Sequence, residues 1–277
     1  MPEDVLSDVT QIINEKHADE IDMNIILGKL LYSQDDYEKY LKYFLHLLDV
    51  YRNNKSKDHN LAKTYHSIAW TCLDLEKDDD AILYFSLVFD QYLSLNNQFD
   101  AARMLYDIGT CYIKKKDYDE ANNYLTKSYK MKKDDIDLPN NHCQIALSMN
   151  GFGTVCYYQN DYEHVLDYYI KSLNSYENSS LLYKCKNHDN DISRQYKNIG
   201  EVSSKLNNDD KASEYLQKSL DLREKHLISY RERRSRLWTL VEMSKIFEKR
   251  NDESNAKICK QKILKTNEHM ATKKLAE

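Results

Sequence analysis

The stretch IGTCYIKKKDYDEANNYL, residues 108–125, decides the fold of this chain. In it, Gly109 follows a large apolar residue, Asp117 comes eight residues later, and Ala121 lies twelve residues after the glycine. The same order of residue types recurs in five other segments, the last more weakly: LGKLLYSQDDYEKYLKYF, IAWTCLDLEKDDDAILYF, FGTVCYYQNDYEHVLDYY, IGEVSSKLNNDDKASEYL and MSKIFEKRNDESNAKICK. The chain is therefore built from repeats.

Three columns of the repeat have a physical reason. Helix backbones approach closely only where a side chain is small, which explains the first column of Gly28, Ala69, Gly109, Gly153, Gly200 and Ser244. The matching surface on the partner helix is Tyr40, Ala81, Ala121, Val165, Ala212 and Ala256. A short acceptor side chain between them caps the following helix, and this column is Asp36, Asp78, Asp117, Asp161, Asp209 and Asp252. The columns predict paired helices.

Glycine and proline are scarce, with 5 Gly and 2 Pro in 277 residues. A β-rich or α/β protein of this size needs more of both for its turns and phosphate-binding loops. Four glycines belong to the small column and only Gly151 remains, so the sequence contains no glycine-rich phosphate loop. We therefore expect helices joined by short polar turns, and no nucleotide-dependent enzyme.

This pattern resembles the tetratricopeptide repeat family, whose unit is a helix-turn-helix with small residues at the two packing columns. Gly109 and Ala121 match it well, whereas Val165 departs at the alanine column and Ser244 at the glycine column. The resemblance covers roughly residues 21–270. It implies an all-α fold, a right-handed superhelical solenoid of about six helix-turn-helix repeats with capping helices at its ends.

The expected boundaries follow from these columns. A capping helix over residues 1–20 precedes a solenoid over residues 21–270, and a polar tail follows at 271–277. The six repeats are expected at residues 21–54, 62–95, 102–135, 146–179, 193–226 and 237–270. The small residues lie 41, 40, 44, 47 and 44 positions apart. The basic unit has ~34 residues, so the chain is similar to the longer-repeat subgroup of kinesin light chain-type repeats.

The resemblance also implies a groove lined by the first helix of each repeat. Its ligand-facing positions lie six and three residues before the small residue, and one, four and five residues after it. They form the predicted peptide-binding groove: Lys63, His66, Trp70, Arg103, Tyr106, Thr110, Lys114, Asn150, Thr154, Tyr157, Tyr158, Arg194, Lys197, Glu201 and Lys205. Related proteins use an asparagine at the position of Asn150 to hydrogen-bond an extended peptide.

The groove positions are rich in Lys and Arg although the whole chain has a formal net charge of −5. We expect a protein or peptide partner with acidic residues, held by charge and main-chain hydrogen bonds, with Trp70, Tyr157 and Tyr158 as flat anchors. The alternative is that these charges only keep an exposed helix face soluble. The acidic balance argues against a nucleic-acid partner.

No motif of catalysis or metal binding stands out. The nine histidines form no HExxH pair and no zinc spacing with cysteines, and the acidic pairs recur at turns, as helix caps do. We therefore expect no metal, no cofactor and no enzyme, but a non-catalytic interaction scaffold or adaptor. The alternative is a regulatory or substrate-docking part of a larger enzyme or motor complex, such as a kinesin light chain-like cargo adaptor. The Lys, Asn and Arg clamp of chaperone-binding members is not found intact.

The compartment is predicted from the cysteines and the N-terminus. Six cysteines occur without a CxxC pair, which favours reduced thiols and a reducing compartment. The N-terminus lacks the basic and apolar regions of a signal peptide, and no apolar run approaches the ~20 residues of a membrane helix. We expect a soluble cytoplasmic protein without membrane insertion, and the sequence leaves its oligomeric state open.

Overall fold

The computed structural model describes residues 37–53, 58–133, 143–180, 188–224 and 230–276. Within these ranges every regular element is an α-helix, which confirms the predicted all-α fold. The eleven helices in the described ranges are α1 Tyr37–Asn53, α2 Asp58–Asp74, α3 Asp78–Ser94, α4 Gln98–Lys114, α5 Tyr118–Lys133, α6 Cys143–Tyr158, α7 Tyr162–Ser180, α8 His188–Lys205, α9 Asp209–Glu224, α10 Tyr230–Lys249 and α11 Glu253–Ala276.

Consecutive helices form the predicted helix-turn-helix repeats. The pairs are α2–α3, α4–α5, α6–α7, α8–α9 and α10–α11, and α1 is the second helix of the first repeat. The predicted capping helix at 1–20 and the small residue Gly28 lie outside the described residues. Two compact units divide the chain, residues 1–131 and residues 132–277, named below the N-terminal unit and the C-terminal unit.

The turns between the helices show how helix ends can be closed without glycine. In six three-residue turns between described helices, the middle residue has a φ between 53° and 62°; these residues are Glu76, Asn96, Lys116, Asn160, Asn207 and Asn251. The next backbone N–H then reaches a carbonyl five residues back, as from Asn97 to Tyr92 at 2.9 Å. This hydrogen bond is the mark of a helix end closed by one left-handed residue. Asparagine tolerates that conformation better than most residues, so it fills four of the six positions where glycine is usual.

The predicted aspartate caps are present in three of the turns. Asp117, Asp161 and Asp252 each accept a hydrogen bond from the backbone N–H three residues later, at 3.2, 3.4 and 3.1 Å. Such a bond satisfies one of the N–H groups that the start of a helix leaves without a partner. The prediction is confirmed for these three residues.

The same prediction is wrong for Asp78 and Asp209, which are the first residues of α3 and α9. Asn208 instead caps α9 by accepting from the Lys211 N–H at 3.2 Å. Lys77 occupies the corresponding place before α3 and gives no side-chain cap. In both turns the acidic run begins one residue after the capping position, so its carboxylates can only favour the positive end of the helix. Asp36 lies outside the described residues.

The small columns pack as predicted. A Cβ atom on Gly109 would lie 3.0 Å from Leu125 Cγ, and one on Gly200 would lie 2.8 Å from Leu216 Cγ. On Gly153 it would lie 2.6 Å from Tyr169 Cε1. Gly153 and Gly200 therefore let the second helix of their repeats approach the first more closely than an alanine would allow, and at Gly109 the approach is tight but the Leu125 side chain can shift.

Buried serines add a repeated polar tie between paired helices. Ser128, Ser172 and Ser219 lie nineteen residues after the small residue of their repeats, and none is exposed. Their hydroxyls donate to backbone carbonyls of the first helix at 2.6 to 2.8 Å, as Ser172 does to Ala146. These serines share one repeat position and can be recognised in the sequence, but the prediction did not use them.

The cysteines meet the prediction of reduced thiols at four places. Cys72, Cys111, Cys156 and Cys259 are free. Cys143 is disulfide-bonded, so the prediction is wrong there. In the described parts of the chain, the helices are all too short or too polar to cross a membrane.

Candidate functional site

Seven predicted groove positions lie in the N-terminal unit, on the first helices α2 and α4: Lys63, His66, Trp70, Arg103, Tyr106, Thr110 and Lys114. All seven are half-buried or exposed. Residues three and four apart share one face of a helix, so on each helix these side chains point to the same side. Several of them contact a neighbouring repeat rather than standing free.

His66 is the centre of a cluster between α2 and α4. Its Nε2 accepts a hydrogen bond from Trp70 Nε1 at 3.1 Å and lies 3.9 Å from Asp107 Oδ2. Both the histidine and the tryptophan rings pack edge-on against Phe85 of α3. Asp107 is 3 % exposed, so its carboxylate is almost fully buried beside these rings. His66 therefore lies where two repeats meet, and accepting at Nε2 requires that a neutral ring carries its proton on Nδ1, which leaves Nε2 without a proton to donate to Asp107.

Lys114 also ties the first helices of neighbouring repeats. Its Nζ donates at 2.8 Å to the carbonyl of Leu73, near the carboxyl end of α2, where carbonyl groups lack helical partners. Thr110 turns its hydroxyl to the carbonyl of Asp107 at 2.7 Å. Arg103, at the other end of α4, is exposed.

Eight predicted positions lie in the C-terminal unit, on the first helices α6 and α8: Asn150, Thr154, Tyr157, Tyr158, Arg194, Lys197, Glu201 and Lys205. Asn150 is buried, with 7 % of its surface exposed. Its Oδ1 accepts from Gln195 Nε2 and from Asn198 Nδ2, both at 3.1 Å. The predicted peptide-binding asparagine thus joins α6 to α8 through a cluster of three carboxamides.

Tyr157 forms a second link between these helices. Its hydroxyl donates to Glu201 Oε1 at 2.6 Å. Burial raises the pKa of Tyr157, and the hydrogen bond to the Glu201 carboxylate raises it further, so the phenol keeps its proton. Tyr158 stands perpendicular to it at 5.8 Å between ring centroids and is 54 % exposed. The exposed aromatic surface at this place belongs to Tyr158.

Lys197 lies at the centre of α8 and is half-buried. Its Nζ lies 4.2 Å from the ring centroid of Trp238 on α10, in a cation–π contact. Burial lowers the pKa of Lys197, while Glu201 opposes that shift and Arg223 and Arg194 add to it. Arg194 pairs with Asp191 on its own helix. Lys205 is exposed at the end of α8.

Trp238 occupies a groove position that the sequence prediction left out. Trp238 lies six residues before Ser244, and Val241 lies three residues before Ser244. Both therefore occupy groove positions of the last repeat. The predicted groove residues end with the fifth repeat, whereas Ser244 belongs to the sixth. The same count continued for one more repeat would have found both residues.

The described residues contain no group of three or more His, Cys, Asp or Glu side chains that could hold a metal ion. Burial raises the pKa of the Cys72 thiol to about 11 and that of Cys111 to about 12, which keeps both thiols protonated and weakly nucleophilic. Four arginines cluster within residues 231–236; Arg236 is half-buried, and the side chains of Arg231, Arg233 and Arg234 lie outside the described residues.

Solved structures of three other proteins share the fold. BtubC (BKLC) from P. vanneervenii is 11 % identical with a TM-score of 0.64, covering 87 % of this chain and 92 % of its own. NprR in complex with its cognate peptide NprX is 14 % identical with a TM-score of 0.60, covering 96 % and 73 %. A putative kinesin light chain from Podospora anserina with TPR-like repeats is 10 % identical with a TM-score of 0.53, covering 76 % and 98 %. At such identities the likeness concerns the fold.

Sequence comparison agrees with the helix pairs. No curated protein matches the chain. One family model described as tetratricopeptide repeat matches residues 19–94, and a second with the same description matches residues 102–135 and 196–226. These ranges contain the small columns of four repeats, including Gly109 and Gly200. The chain belongs to the tetratricopeptide repeat family.

Proposed function

We propose that this protein is a non-catalytic scaffold that binds an extended, acidic peptide segment of a partner protein along its first helices. The observation that carries the proposal is a local excess of positive charge. Of the fifteen predicted groove positions, six are Lys or Arg and one, Glu201, is acidic, in a chain with a net charge of −5. Arg103, Arg194 and Lys205 are exposed, so this charge faces solvent in both units. Such a face attracts acidic partners and slows their dissociation.

The fold supports a peptide as the ligand class. NprR, which shares the fold, is described in complex with a cognate peptide. In the present chain, the exposed Tyr158 ring offers a flat contact for a side chain, and the exposed Arg103, Arg194 and Lys205 offer charge. The buried Asn150 serves here as a link between α6 and α8, so we assign main-chain recognition to the half-buried Asn198 beside it.

A second candidate is a docking part of a larger enzyme or motor complex. The observation in its favour is the fold shared with a putative kinesin light chain. For either role we propose a cytoplasmic location. Four free thiols support that location, whereas the disulfide at Cys143 does not.

The test is an affinity pull-down from lysate of the source cell, followed by mass spectrometry. It compares wild type with an Arg194→Glu/Lys197→Glu variant and with a Lys211→Glu/Lys257→Glu control. The control changes the net charge equally, but on exposed positions of the second helices α9 and α11. We expect a partner that wild type and control retain and the groove variant loses. A partner that all three retain would refute binding along α8.

A further inference from the structure

The central groove position of each repeat lies three residues before the small residue. Where this position is polar, the side chain has partners within the protein, as His66 has in Trp70 and Asn150 has in Gln195. Lys197 differs. Its ammonium has no hydrogen bond and no ion pair among the described residues, and its recorded contact is the face of the Trp238 ring.

The carboxylates near Lys197 are already engaged. Glu201, one turn further along α8, accepts the hydroxyl of Tyr157 at 2.6 Å. Glu242 on α10 pairs with Lys245 at 2.7 Å. A second cation, Arg223 of α9, is buried beside the same region. Each of these carboxylates thus has one oxygen bonded to another group, and a second positive charge lies near the ammonium.

This arrangement is unfavourable for the isolated protein. A partly buried ammonium without an acceptor loses hydration, and the nearby Arg223 adds repulsion. The Trp238 ring offsets part of that loss. Burial lowers the pKa of Lys197, in agreement with the geometry. Functional sites often contain side chains that destabilise the folded protein. We therefore take an unfavourable side chain on the proposed binding face as a sign that a ligand completes its contacts.

We propose that Lys197 and Trp238 form a subsite for the side-chain carboxylate of an Asp or Glu in the bound peptide. The inference rests on the proposed peptide-binding function. The carboxylate forms a charge-assisted hydrogen bond with Lys197, and the ring of Trp238 packs against the methylene groups of the same side chain. Arg194 is held by Asp191, so the subsite offers a single-point cation rather than the arginine fork that suits a phosphate.

The experiment selects peptides from a random library displayed on phage. Fusion through the peptide C-terminus removes the free α-carboxylate, and phage peptides carry no phosphate, so an acidic group must come from a side chain. Wild type is compared with Lys197→Met and with the control Lys211→Met on an exposed position of α9. The best peptide is then made in N-acetylated, C-amidated form, as is its version with the acidic residue replaced by its amide.

We expect wild type and control to select peptides with an acidic residue at a fixed position. Lys197→Met and the amide peptide should each weaken binding about tenfold or more, and together they should weaken it little further, because both remove one interaction. Equal binding of the acidic peptide by Lys197→Met, or additive losses, would overturn the subsite while leaving peptide binding intact. If wild type selects no peptide, both the subsite and the proposed function fail.

Thermal unfolding separates a ligand site from a structural role. Because Lys197 has no hydrogen-bond acceptor among the described residues and methionine can still pack against Trp238, Lys197→Met should unfold at the same temperature as wild type or higher. A clearly lower midpoint would show that the lysine serves the fold, and would overturn the subsite.

Discussion

In the N-terminal unit, the polar groove residues His66 and Lys114 make contacts that join α2 to α4. In the C-terminal unit, Asn150 and Tyr157 do the same between α6 and α8, but Lys197 retains an ammonium without an acceptor. The repeat position three residues before the small residue therefore makes polar packing contacts at His66 and Asn150, whereas Lys197 at that position has no acceptor. Position in the repeat predicts which side chains share a face, whereas their neighbours determine which polar atoms a ligand can use.

The largest difference in stability between the two units is expected when glycines of the small column are replaced by alanine. We expect Gly153→Ala to lower the free energy of unfolding by about 2 kcal/mol, because its methyl would meet the buried Tyr169 ring at 2.6 Å. Gly109→Ala should stay within about 0.5 kcal/mol of wild type, since Leu125 can shift and alanine favours the helix. Urea unfolding measures both. Equal losses would show that the two helix pairs tolerate a methyl alike.

The next prediction compares the two central side chains. His66→Leu should destabilise the protein by about 1–2 kcal/mol, because the partly buried Trp70 indole loses its acceptor. Lys197→Met should cost nothing. The chain has one tryptophan in each unit, so a Trp238→Phe background leaves Trp70 fluorescence to report the N-terminal unit alone. If His66→Leu is as stable as wild type, the central groove residues of the two units would not differ in their contribution to stability.

A smaller loss is expected at the end of α4. Lys114→Met removes a charge-assisted hydrogen bond to the Leu73 carbonyl and should cost about 1 kcal/mol. Arg103→Met, at an exposed position of the same helix, serves as the control and should leave the unfolding midpoint unchanged. Hydrogen exchange of the last turn of α2 should rise in the lysine variant and not in the control. Unchanged exchange would mean that the bond does not protect that turn.

Much of the fold could be predicted because the decisive residues are small ones with a fixed spacing. Gly109, Gly153 and Gly200 lie where paired helices approach closely. Glycine permits this approach in every repeat, whichever residues lie opposite. The site could be predicted only as a set of positions. Whether Asn150 meets a ligand or Gln195 depends on the residue across the helix pair, and that neighbour lies 45 residues away in the sequence.

The smallest predicted effect is the pH dependence that Lys197 confers. Burial lowers its pKa in the folded protein below the unfolded value of about 10.4. Below the folded pKa, Lys197 is protonated in both the folded and the unfolded state, and the full cost of burying its ammonium applies. As pH rises from the folded towards the unfolded pKa, the unfolded state binds more protons, so the stability of wild type increases relative to Lys197→Met. Urea unfolding at neutral pH and near pH ~10 should show the gap between the two proteins narrowing, with Lys211→Met parallel to wild type. A constant gap would mean that the ammonium is as well solvated in the folded protein as in the unfolded chain, and the contrast between Lys197 and the partnered groove residues of the N-terminal unit would disappear.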